Sequence, residues 1–289
     1  MCRPDVAIVT NVSNAHRKAY NSLEEIAREK AGVFSGLASG GATVICRDTE
    51  CFEVFYEEAK KVTDNLITYG KSADSDWRLQ RYDPLTGWLR VSVRGTEIDV
   101  CLPAAGEHIA VNVVGAIAAA SHLYENWAPA IAGLAGWSPL DGRGRVHNVI
   151  LPDGPEVRIF DESFNAAPGA VIAVLKALAD RPSAGRRVVV LGDMLELGAV
   201  SMDCHTEVLS LLNNCNVDMA FFVGDEYRKA LQACELRKPY VWYEAADGVL
   251  PDLRAFVQDG DEVTVKGAHA SGVHSIVREM RRISVQPDH

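Results

Sequence analysis

The stretch Val157 to Gly198, VRIFDESFNAAPGAVIAVLKALADRPSAGRRVVVLGDMLELG, constrains the fold more than any other part of the chain. It reads as strand, polar turn, helix, strand, polar turn. Val157 to Phe160 is a short β-branched and aromatic run that ends on Asp161, Glu162, Ser163 and Asn165, and Pro168 then opens an amphipathic helix ending near Ala179. Val188 to Leu191 is unbroken apolar sequence, as a parallel strand covered on both faces requires, and it delivers Gly192, Asp193, Glu196 and Gly198 at its end. Polar groups thus gather where strands stop. Ligands of open α/β sheets sit outside the carboxyl ends of the strands, which makes Asp161, Asn165 and Asp193 site candidates. Asp and Asn serve equally well there as turn formers and helix caps.

Strand and helix patterns alternate regularly from Val157 to Arg281, which predicts a doubly wound α/β domain. Upstream, Asp5 to Val9 predicts a strand ending on Thr10, Asn11, Ser13, Asn14 and His16. Ser22 and Glu25 then form an S-x-x-E capping box, with Leu23, Ile26, Ala27, Ala31 and Phe34 on the apolar face of a helix. Lys30 is i+4 from Ile26 and i+3 from Ala27, so its stem is expected to be covered. A desolvated lysine can act as a nucleophile, although a lysine snorkelling at the rim has the same spacing.

Ala42 to Cys46 and Asn65 to Tyr69 predict further strands around a helix from Glu50 to Val62. Gly70, Lys71 and Ser72 spell the end of a phosphate-binding loop, but Asn65 stands where its first glycine belongs and no periodic helix follows. Trp77 to Arg81, Trp88 to Arg94 and Ile98 to Leu102 alternate as a small antiparallel meander, and an Ala-rich helix is expected from Val111 to about Tyr124. A formal charge of −10 without a basic block argues against nucleic acid or an anionic membrane surface and leaves small molecules as partners. The seven cysteines include no C-x-x-C pair, and neither a signal peptide nor a membrane-spanning apolar run is evident. Reduced thiols in a cytoplasm account for this most simply.

DESFNAAP resembles the D-S-Y-N-A-N-P signature of the Mur ligases, and LGDMLELG resembles the L-G-D-M-x-E-L-G of their MurF-like branch, which adds D-alanyl-D-alanine to a nucleotide-linked muramoyl tripeptide. TNVSNAH is similar to the family's T-N-[IV]-x-x-[AD]-H, which implies that His16 is a magnesium ligand; alone, it reads as a loop histidine. Lys30 stands in the family's I-A-x-x-K context, a lysine that several members carry as a metal-binding carbamate. GEHIAVN resembles G-x-H-N-x-x-N, which sets Asn112 near adenine, although Ile109 replaces an asparagine. DGRGR resembles the interdomain G-R, which implies a boundary near residue 145 and directs Arg143 toward ATP phosphates. Lys266 and Gly267 match K-G-S-R or K-G-H-E whereas Ala268 and His269 depart, and His205 corresponds to a histidine that follows the long motif.

The resemblance implies an α/β chain: residues 1–145 a partial central ATPase domain without a P-loop, and 146–289 a Rossmann-like C-terminal domain. It implies an ATP-dependent amide ligase using ATP and Mg2+, with Lys30, His205 and Lys266 catalytic, Asn112, Arg143, Asp161 and Asn165 on the nucleotide, and His16 and Lys30 on the metal. Complete members carry a sugar-nucleotide domain and a G-T-N-G-K-T loop ahead of the strand at which this sequence starts. The chain is therefore expected to be a truncated or split ligase served by an upstream P-loop-bearing subunit or a second copy. A non-catalytic binding subunit and a ligase of another peptide or cofactor pathway are the alternatives.

Overall fold

The computed structural model describes residues 2–12, 20, 22–84, 86–102, 106–152 and 154–285. The described residues up to Ser138 form one compact unit and those from Pro139 form another. In the first, β1 (Val6–Val9), β2 (Ala42–Cys46) and β3 (Leu66–Gly70) run parallel, and β4 (Trp77–Tyr82), β5 (Trp88–Val93) and β6 (Thr96–Cys101) extend the same sheet as an antiparallel meander. Helices α1 (Leu23–Ala31) and α2 (Phe52–Lys60) cover one face, where Ile26, Ala27 and Phe55 pack on Ala7, Val9 and Ile45. Helix α3 (Glu107–Leu123) covers the other, setting Val113, Val114 and Ile117 against Val44, Leu79 and Val91. Lying between two helical layers, β2 is buried at every position.

Helix α3 begins four residues earlier than the expected Val111. Gly106 is extended and caps the helix, Glu107 suits the positive end of the helix dipole, and Ala110 already belongs to the buried face. The loosely patterned segment after it contains one short helix, α4 (Ala128–Gly133), opened by Pro129 in its first turn.

The second unit is a sheet of six strands in the order β11-β10-β9-β12-β8-β7: β7 (Arg145–Ile150), β8 (Glu156–Glu162), β9 (Arg187–Gly192), β10 (Met219–Val223), β11 (Tyr240–Tyr243) and β12 (Glu262–Lys266). All pairs are parallel except β7 with β8. Helices α5 (Pro168–Asp180), α6 (Ser201–Asn214) and α7 (Asp225–Ala233) bury Leu175, Val208 and Leu209 against Val189, Leu191 and Phe222. On the opposite face α8 (Val249–Phe256) and α9 (His274–Arg282) bury Leu253, Ile276 and Met280 against Val190, Val263 and Val265. This is the doubly wound arrangement that the alternation predicts. Strand β7 was not evident in the sequence pattern, because an edge strand covered mainly at Val149 has no reason to be uniformly apolar. Strand β12 is the last to be made and lies in the middle, so Lys266 sits beside Glu162 on one side and Leu191 on the other. No helix among the described residues is long and apolar enough to cross a membrane.

Candidate functional site

Side chains of adjacent strand residues point to opposite faces, and this separates the two acids that end β8. Asp161 turns toward the α9 side and is 3 % exposed. Its Oδ2 accepts the N–H of Gly142 at 2.7 Å, and its Oδ1 accepts the N–H and hydroxyl of Ser163 at 3.2 and 2.5 Å. The His147 ring stands 3.7 Å from the same carboxylate. Burial is the largest single influence and pushes this carboxyl up, but the neighbouring imidazole and the hydrogen bonds together hold it below the usual carboxylate range. Asp161 thereby ties the Gly142 turn to the end of β8.

Glu162 faces the α5 side with Lys266, its neighbour across the β8–β12 ladder. The Lys266 ammonium is buried and donates to the carbonyls of Asn165 at 2.9 Å and Glu162 at 3.4 Å, so it closes the turn between β8 and α5. Burial pushes Lys266 below its ordinary value, opposed by the Glu162 carboxylate and aided by Arg143. Burial likewise pushes Glu162 up. An acid and a base driven toward neutrality side by side, at the end of central strands, mark a functional site more strongly than either alone. Around them the rim is open: Arg143 and Asn165 are exposed, and the Arg143 guanidinium lies 4.0 Å above the half-exposed ring of Phe164. Gly142, with φ 77°, permits this approach, since a Cβ there would stand 2.9 Å from that of Phe164.

At the end of β9, Asp193 accepts the N–H groups of Glu226 and Tyr227, both at 3.0 Å, and so caps the N-terminus of α7. His205 is completely buried beside it. Its Nε2 accepts the Met194 N–H at 3.1 Å and its Nδ1 donates to the Ser201 carbonyl at 2.7 Å, which fixes a neutral ring. Burial holds that imidazole below its ordinary value. His205, which the resemblance makes catalytic, has both nitrogens engaged within the core, where it orients the Met194 backbone. The Glu226 carboxylate, which accepts the Ser201 hydroxyl, completes this network.

In the first unit Asn112 is exposed on α3. Lys30 is also exposed, a correction to the covered stem expected from spacing. It is the penultimate residue of α1, which tightens into a 3-10 helix over Gly32–Gly36, and a cation at the end of a helix is favoured by the dipole without burial. His16 lies outside the described residues. Among those described, no three His, Cys, Asp or Glu are placed to hold a metal ion. The Gly70-Lys71-Ser72 run is filled from within: Asp48 accepts the N–H groups of Lys71 at 2.6 Å and Ser72 at 3.0 Å, and the Lys71 ammonium pairs with Glu107 at 2.8 Å.

Two family descriptions match the chain, the Mur ligase middle domain over residues 1–120 and the Mur ligase, glutamate ligase domain over residues 144–269. The chain belongs to the Mur ligase family. It is 26% identical over 292 residues to the UDP-N-acetylmuramoyl-tripeptide--D-alanyl-D-alanine ligase of Escherichia coli, a match covering 97% of this chain and 61% of the relative. The Bacillus subtilis ligase of the same name is 25% identical over 284 residues, with 97% and 60% covered. The chain thus spans about 60% of the length of these curated relatives. Among solved structures it resembles a MurF ligase from Thermotoga maritima in complex with ADP, with a TM-score of 0.82 and 22% identity, covering 98% of this chain and 62% of that one. A MurF from Acinetobacter baumannii follows at a TM-score of 0.79, 21% identity, 97% and 60% coverage.

The Mur ligase signature D-S-Y-N-A-N-P has seven positions, whereas DESFNAAP has eight. Counting back from Pro168 sets its acid on Glu162 rather than Asp161, and Glu162 is the acid that faces Lys266. That count was the available signal for a residue absent from the sequence-based candidates. The same count sets Phe164 on the tyrosine of the signature, whereas His147 had no such signal, because only the fold brings it to the site.

Proposed function

We propose that this chain is part of an ATP-dependent amide ligase that joins D-alanyl-D-alanine to a UDP-muramoyl tripeptide in peptidoglycan synthesis, a cytoplasmic reaction. The observation that carries the reading is the cluster at the ends of β8 and β12: Glu162 beside buried Lys266, rimmed by Arg143, Phe164 and Asn165. In this reading ATP phosphorylates a substrate carboxylate and the amine attacks the acyl phosphate. Glu162 and Asn165 serve as polar contacts for the nucleotide, Arg143 lends a planar cation to its phosphates, and Lys266 holds the turn that presents them. Asp161 acts through the Gly142 turn, and His205 through Met194. Asn112 of the first unit is assigned to adenine by the family resemblance alone.

Phosphoryl transfer depends on positioning and on neutralising charge at the β and γ phosphates. The 289 residues contain no complete G-x-x-x-x-G-K-[ST] run, and the N–H groups of the partial one are taken by Asp48. A P-loop-bearing partner or preceding segment is therefore part of the proposal, and a binding subunit without chemistry of its own is the second reading.

The test is calorimetric titration of ADP into the chain and into Glu162→Gln and Asn165→Ala, followed by phosphate release with the tripeptide nucleotide and D-alanyl-D-alanine, with and without an upstream P-loop protein. The expected result is ADP binding weakened about tenfold or more by either substitution, each of which removes a polar contact, and turnover only with the partner. ADP affinity equal in all three proteins would reject the cluster as the nucleotide site.

A further inference from the structure

The second sheet ends on β11, whose outer edge no strand pairs among the described residues. Its sequence, Tyr-Val-Trp-Tyr, is apolar and aromatic, yet Tyr240 is 44 % exposed and the other three are half-buried, whereas β10 beside it is buried at four of its five positions. Its pairing with β10 decides which backbone groups that edge presents. The Ala220 and Gly224 N–H groups donate to the carbonyls of Pro239 and Tyr243, both at 3.0 Å. In a parallel ladder successive residues turn their backbone groups to opposite sides, so Pro239, Val241 and Tyr243 face β10 while Tyr240 and Trp242 face outward. The N–H that Pro239 lacks therefore belongs to the inner ladder, and the outer edge keeps its donors.

This edge is complementary to itself. An antiparallel neighbour must set outward-facing residues opposite one another, so a second copy can pair about a twofold axis at Tyr240, Val241 or Trp242. The axis at Val241 sets Tyr240 opposite the partner's Trp242, and Lys238, just before the strand, opposite the partner's Glu244, just after it. Each contact then occurs twice. An axis at Tyr240 puts Lys238 against Trp242, and one at Trp242 puts Glu244 against Tyr240, so the charges select Val241. Aromatic pairs and opposite charges facing each other across strands both stabilise a sheet.

We propose that β11 is a dimerisation edge on which two copies of this chain pair antiparallel about Val241, through the backbone groups of Tyr240 and Trp242 and two Lys238–Glu244 ion pairs. The two second-unit sheets become one. A partner of another sequence has no reason to match both charges, whereas a second copy matches them by symmetry. Three strands separate β11 from β8, so the pairing leaves the ends of β8 and β12 open and is independent of the nucleotide reading above. A four-residue edge is a small interface, which makes the dimer weak and its population dependent on concentration.

The test is sedimentation equilibrium of the full chain at rising concentration, where the mass should climb from that of one chain toward that of two. Lys238→Glu and Glu244→Lys each set like charges opposite one another twice per dimer, and each should raise the dissociation constant about tenfold or more. Combined in one chain they restore opposite charges and should restore the dimer. Tyr240→Pro removes an outward N–H without touching the inner ladder, so it should abolish the pairing, and it serves where a charge variant does not fold. Under a mild oxidant Val241→Cys should give a disulfide-linked dimer that the wild-type cysteines do not, because cross-strand neighbours of the non-hydrogen-bonded kind lie within disulfide reach. A folded chain that stays monomeric throughout overturns the proposal. A dimer indifferent to the charge reversals, or not rescued by the double variant, lies on another surface and overturns it too. A charge-sensitive dimer without the Val241→Cys link overturns the register about Val241.

Discussion

A strand-end carboxylate can be spent on the fold or kept for a ligand, and Asp161 and Glu162 divide these tasks between two faces of one sheet. Asp161→Asn tests the first task. An amide keeps the shape but turns a donor toward either the Gly142 or the Ser163 N–H, so it should destabilise the second unit by about 1.5–3 kcal/mol at neutral pH. The sign with pH follows from the direction of the shift. Because folding holds the Asp161 carboxyl below its unfolded value, its stabilisation is complete above about pH 4 and is lost as pH falls through the folded value. Urea unfolding from pH 7 down to pH 3 should therefore show wild type and variant converging in acid, and a constant gap would contradict the assignment. The sequence marked this turn as polar and functional but not which acid was which, since that depends on pleat and register. His205 shows the same limit from the other side: its spacing from the long motif was legible, but the two hydrogen bonds that enclose it were not.

Elements were legible where one periodic face meets one layer. The Ser22 hydroxyl accepts the Glu25 N–H at 3.2 Å as the capping box requires, and every strand of the meander lies within a residue or two of its expected place. Lys30 and β7 escaped for opposite reasons. Helical spacing gives the angle of a side chain but not what lies above it, and an edge strand does not need the pattern by which strands are recognised. The turn at Gly70 yields a prediction of its own. Since Asp48 already satisfies its N–H groups, Lys71→Ala should leave ADP affinity unchanged while removing the ion pair to Glu107. Calorimetry checks this directly, and a large loss of affinity would restore the run as a phosphate site.

At the scale of the molecule, the division near Ser138 gives each unit a sheet with both faces covered by its own helices. Residues 139–289, expressed alone, should therefore unfold in a single cooperative transition by circular dichroism, because they borrow no strand from upstream. A molten product would show that the first unit contributes to that core. The place of β12 has a consequence in time. The last strand synthesised fills the gap between β8 and β9, so a ribosome that has delivered everything up to Asp261 has made a sheet with its centre missing. The pairing that closes it joins residues about a hundred positions apart, a costly and slow kind of contact to form. Chains cut short before Glu262 cannot complete the unit, and a nascent chain acquires Lys266 only in the step that completes its fold.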